Sequence, residues 1–172
     1  MNWFAVDLSI LGPGILAGLL VTLTHVPLGK RVLQRGIIFL DLAVAQFAGL
    51  GIIIAHSFHW EPGSWAVQII AISAAIVGVV ILYTCEKHWP DIQEALIGSM
   101  FILASSGSIL LLSTNPQGGE QLKELLVGQI LWVSYEQLIP VAILYAIVVM
   151  VWINIKNHVS LNFYILFALT IT

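Results

Sequence analysis

The sequence predicts an all-α, polytopic transmembrane helix bundle with five full spans, the start of a sixth, and the N-terminus outside. Three observations lead there: apolar runs long enough to cross a bilayer, a composition poor in charge, and a one-sided distribution of basic residues. Of 172 residues, 59% are apolar and 9% charged, against roughly 25% charged in a soluble domain. At a mean hydropathy of +1.00, a water-soluble fold could not hide so much apolar surface.

A window of about 19 residues, rising about 1.5 Å per residue, finds spans at Leu8–Val26, Gly36–His56, Trp65–Tyr83, Glu94–Ser113 and Leu138–Ile155. Each can cross about 30 Å of hydrocarbon. Gly12-Pro13-Gly14 predicts a kink in the first span. Met1–Asp7 contains no Lys or Arg, so this span lacks the positive flank of a cleavable signal peptide and is expected to be retained. Pro90 marks the first turn of the fourth helix, with Asp91 and Glu94 near its positive end. The last run, Leu161–Thr172, is about half a span, which predicts a cut chain or a re-entrant segment.

Orientation follows from the loops. Lys30, Arg31 and Arg35 are expected between spans one and two, Lys87 between three and four, and Lys156 after span five; Lys123 alone lies opposite. The loops are short, so residues 1–172 form one domain. In the longest, Leu122, Leu125, Leu126 and Ile130 recur at helical spacing, which predicts an amphipathic helix at Gly119–Ser134 on the outer surface. The net charge of −3, with no basic patch interleaved with aromatics, gives no sign of nucleic-acid binding. Cys85 is the only cysteine, so an internal disulfide is excluded and a buried thiol is expected.

Small residues mark the interior helices: Ala43, Ala45, Ala48, Gly49 and Gly51 in span two, and Gly98, Ser99, Ser105, Ser106, Gly107 and Ser108 in span four. Close packing accounts for such stretches, and hydroxyls such as Ser105 and Ser106 can also line a hydrated path. Asp41 is the one acid well inside a span, where a carboxylate costs on the order of 2.5–3.5 kcal/mol. Two readings of it stay open: a functional cation contact, or a structural role near the interface, as a partner of Arg35 or Arg31 or as the cap of a neighbouring helix. Gln46 lies roughly 140° around the helix from Asp41, so the two do not share a face. The histidines are expected at span ends. His56 and His59, with Glu61, could meet a metal at the outer mouth if the helix continued, though interfacial histidines more often bond water.

Three stretches together resemble the membrane permease subunit of ATP-binding-cassette importers for zinc, manganese and iron. They are Arg35-Gly36-Ile37-Ile38-Phe39-Leu40-Asp41-Leu42-Ala43-Val44-Ala45-Gln46 with Gly49, then Glu94-Ala95-Leu96-Ile97-Gly98 with Gly107 and Leu110–Ser113, and Leu126-Val127-Gly128-Gln129-Ile130-Leu131 with Val133-Ser134. The resemblance runs along nearly the whole chain. The family's Asp and His on span two fall here on Leu42 and Gln46, with the acid at Asp41, and Gln129 stands where the family has Asp. These departures put metal ligation by span two in doubt and imply different cation handling.

The resemblance implies a translocation subunit and not an enzyme. It would carry a divalent transition-metal cation across the bacterial inner membrane, with Asp41 and Gln46 as transient metal contacts and Gly128, Gln129, Ser105 and Ser106 along the pathway or its gate. It further implies a homodimer in lipid, a cytoplasmic ATP-binding-cassette ATPase, an extracytoplasmic metal-binding protein, and no resident cofactor. No Gly-x-x-x-x-Gly-Lys-Ser/Thr loop is present, so ATP hydrolysis belongs to a partner. Family members are longer, and their coupling helix is expected beyond the point where this chain stops. Two alternatives stay open: a permease for iron chelates or vitamin B12, and, remotely, an intramembrane enzyme using Ser106 or Ser108. The latter lacks a mid-span histidine as base and a Gly-x-Ser-x-Gly elbow.

Overall fold

The computed structural model describes residues 8–58, 60, 64–113, 133–154 and 160–171. In chain order these form α1 (Leu8–Arg35), α2 (Leu40–Ser57), α3 (Trp65–His88), a 3₁₀ turn (Pro90–Ile92), α4 (Gln93–Leu112), α5 (Tyr135–Asn154) and α6 (Ser160–Ile171). Among the described residues, five helices are long and apolar enough to cross a membrane, and no strand occurs. The all-α polytopic bundle predicted from the sequence is the observed fold.

The first span is longer than hydropathy suggests, because Pro27 does not end it. Pro13 and Pro27 both lie inside α1, as spanning helices tolerate when neighbours satisfy the freed carbonyls. The helix stops where its backbone is capped. Gly36 adopts φ 72°, its N–H bonds the Leu33 carbonyl (3.1 Å), and the Ile37 N–H reaches back to Val32 (3.3 Å). That is a Schellman cap with its hydrophobic pair, Val32 and Ile37, both buried. Lys30 and Arg31 therefore sit on the last turns of α1 and not in a loop.

The other helix starts are encoded locally. Ser64 caps α3 by accepting from the Val67 N–H (3.4 Å). Ser134 and Gln137 form a reciprocal capping box before α5, with bonds of 3.0 and 3.4 Å.

Helix α2 is the hub, packing on α3, α4 and α6. Buried residues of α3 recur at Val67, Ala71, Ala75, Gly78, Leu82 and Cys85, one stripe of a helix. Two glycines let α2 and α3 approach closely. A Cβ at Gly51 would meet the Ala74 Cβ at 2.7 Å, and one at Gly78 would meet the Phe47 ring at 2.5 Å. Gly98, by contrast, has nothing within 4 Å, so the small residues of span four are only partly a packing device.

Helix α1 packs chiefly on α5 and α6. The half-length run predicted at the C-terminus is α6, buried at Phe163, Tyr164, Leu166, Phe167, Ala168 and Thr170. Such all-round burial belongs to a helix surrounded by protein.

Candidate functional site

The connection between α1 and α2 is four residues, Gly36–Phe39, so the C-terminus of α1 and the N-terminus of α2 share one end of the bundle. The C-terminus of α3 and the N-terminus of α4 meet them there. Lys30, Arg31, Arg35 and Lys87 thus gather at a single end, as the loop charges predict.

Two glutamates hold this corner from opposite sides. Arg35 Nη1 pairs with Glu86 Oε1 of α3 at 3.2 Å and lies 3.5 Å from Oε2. Both side chains are 23% exposed, so the pair is better shielded than an ordinary surface bridge. The same guanidinium lies 4.9 Å from the Phe163 ring centroid and 5.9 Å from that of Tyr164 on α6, a cation–π arrangement. Beside it, Gln93 Nε2 donates to the buried Tyr164 hydroxyl at 3.0 Å, and Arg31 stacks over Trp152 at 5.0 Å. On the other side, Phe39 N–H donates to Glu94 Oε1 of α4 at 3.2 Å. Glu94 therefore serves the start of α2, whereas the sequence suggests a role at the start of its own helix. Arg35, committed to Glu86, is not the partner of Asp41.

From this corner one face of α2 is only partly covered by the described residues. At about 100° per residue Asp41, Ala45, Gly49, Ile52 and His56 fall on one side. Asp41 and Ala45 are exposed, and Gly49, Ile52 and His56 are half-buried. Asp41 has no hydrogen bond or ion pair among the described residues. Gln46 is half-buried and, in the same continuous helix, remains on another side.

On α4, Ser105 is half-buried and Ser106 exposed, while the buried Ser108 hydroxyl donates to Ala104 of its own helix at 3.0 Å. His59, Glu61, Gly128 and Gln129, and most of the amphipathic helix expected at Gly119–Ser134, lie outside the described residues. Among the described residues, no three His, Cys, Asp or Glu side chains come together in a metal-holding group.

His25 departs from its expected place. Because α1 continues to Arg35, the half-buried His25 lies about 15 Å from the helix end and not at a span terminus. Its ring meets Tyr145 of α5 edge-on at 6.2 Å, and Nδ1 lies 3.1 Å from the Val21 carbonyl. The Tyr145 hydroxyl donates to the Thr170 carbonyl of α6 at 3.0 Å. This polar contact between α1, α5 and α6 was hidden in the sequence by the premature end assigned to span one. The readable signal was a polar Thr24-His25 pair ahead of Pro27, with the basic residues only beginning at Lys30.

No curated protein and no solved structure matches the chain. The model of the ABC 3 transport family matches residues 7–170 and so takes in all six helices, the clamped corner and the open face of α2. A multi-pass helix bundle matched over nearly its whole length in this way belongs to the ABC 3 transport family, as the membrane-spanning permease subunit of an ATP-binding-cassette transporter.

Proposed function

We propose that the chain is the permease of an importer for a divalent transition-metal cation, zinc, manganese or iron, in the bacterial inner membrane. The observation that carries this is the open α2 face beginning at Asp41. A carboxylate in a spanning helix favours a polar neighbour or water over acyl chains, and within its own chain Asp41 has neither an ion pair nor a hydrogen-bond partner among the described residues. A second copy of the chain, set against this face, would enclose a path with Asp41 at one end, His56 toward the other and the small residues Ala45 and Gly49 between. An ion in transit needs contacts it can leave, and a single carboxylate with neutral neighbours supplies such a contact. ATP hydrolysis by a cytoplasmic partner would drive the cycle, and an extracytoplasmic binding protein would deliver the ion.

Uptake of radioactive zinc and manganese by cells carrying the assembled transporter tests this reading. Asp41→Asn is expected to lower uptake more than Gln46→Ala. Equal uptake by wild type and Asp41→Asn would remove Asp41 from the path.

A further inference from the structure

Helix α2 does not cap itself. Its N-cap position is Phe39, whose side chain cannot accept a hydrogen bond, and no side-chain cap is formed there. The backbone enters from Gly36 in the left-handed conformation, φ 72°. An apolar N-cap leaves the first-turn N–H groups of a helix wanting acceptors. An acceptor for the N–H of the N-cap residue itself comes from 55 residues away: Glu94 Oε1, in the first turn of α4, takes the Phe39 N–H at 3.2 Å. The second oxygen, Oε2, is buried with no hydrogen-bond partner among the described residues. One oxygen of this carboxylate thus makes a backbone bond while the other is buried without a partner, which a purely space-filling position would not require. Asp41 follows two residues after the bonded Phe39, on the same first turn.

We infer that Glu94 is a positioning residue, tying α4 to the first turn of α2 and setting where Asp41 stands along the cation path. This rests on the reading of Asp41 given above. Displacement of α4 relative to α2 must either carry that turn along or break the Phe39–Glu94 bond. While the bond holds, the position of Asp41 follows that of α4; once it breaks, the turn is released from α4. Arg35 and Glu86 fix the α1 side of the corner independently; on the α4 side Leu40 packs in the same core as Ile97, and Glu94 adds a hydrogen bond to the start of α2.

The test uses the assembled transporter with Glu94→Ala, Glu94→Gln and Asp41→Asn. Glutamine keeps a carbonyl acceptor for the Phe39 N–H, and alanine does not. Glu94→Ala is expected to speed hydrogen exchange of the amides at Phe39–Asp41 and to raise the half-saturating cation concentration of uptake about tenfold, the scale typical of residues that orient a metal contact. Glu94→Gln is expected to stay near wild type in both. Unchanged exchange in Glu94→Ala would overturn the inference, as would faster exchange with unchanged half-saturation. If Asp41→Asn transports like wild type while Glu94→Ala still raises half-saturation and glutamine restores it, the positioning role of Glu94 stands for the α2 turn and the reading of Asp41 falls.

Discussion

Arg35 engages three helices with one guanidinium: it ends α1, pairs with Glu86 on α3 and lies against Phe163 and Tyr164 on α6. Removing it strands the Glu86 carboxylate, itself only 23% exposed, and uncovers two rings. Arg35→Leu is therefore expected to lower the unfolding free energy by about 2 kcal/mol, since a partly buried charge left unpaired costs more than its pair contributes. Arg35→Lys keeps the charge and loses the planar stack, so about half that loss is expected. Unfolding of the purified protein in mixed micelles by increasing dodecyl sulfate measures both; an Arg35→Leu protein as stable as wild type would reduce the corner to a surface contact. Asp41 was legible as a candidate because an acid inside an apolar run is conspicuous. Its freedom from Arg35 was not, since Arg35 and Glu86 lie 51 residues apart and only folding brings them together.

At the scale of elements, close approach of α2 and α3 is concentrated at two positions without side chains. A Cβ at Gly78 falls on the Phe47 ring, while one at Gly98 on α4 meets nothing within 4 Å. Gly78→Val is expected to destabilise the protein by roughly 1–3 kcal/mol through overpacking, and Gly98→Ala to change stability by less than about 0.5 kcal/mol. The same detergent titration separates them, and equal effects would show that small residues in these helices are interchangeable. The five spans were readable because each is a long apolar run; the third was read from Trp65, where α3 begins, and the fifth from Leu138, three residues after the start that the Ser134 cap sets at Tyr135. The end of α1 was misplaced since Pro27 is a strong stop signal in water and a weak one among packed helices, whereas the operative stop is the glycine at position 36. Length alone also made α6 look incomplete, and its all-round burial emerges only from its neighbours.

For the whole molecule, the gathering of Lys30, Arg31, Arg35 and Lys87 at one end fixes which helix termini travel together, and the preference of basic loops for the cytoplasm predicts which end faces inward. In a background where the buried Cys85 is replaced by alanine, a cysteine at Ser64 or Gly118 is expected to react with an impermeant maleimide on intact cells, and one at Gln34 only after permeabilisation. The reverse pattern would invert the molecule in the membrane.

The seating of α1 against α5 and α6 bears on how the chain is made. Synthesis delivers α1 before its covering helices α5 and α6, so a nascent chain already holding α1–α4 has its α2–α3–α4 contacts available while the side of α1 that meets α5 and α6 lacks those partners. That side, with Leu28 and the Thr24-His25 pair, waits in lipid or against the insertion machinery until α5 and α6 emerge. Closure of the bundle around Tyr145 and Tyr164 then awaits α5 and α6, and the hydrophobic gain from it is withheld until these two helices have left the ribosome.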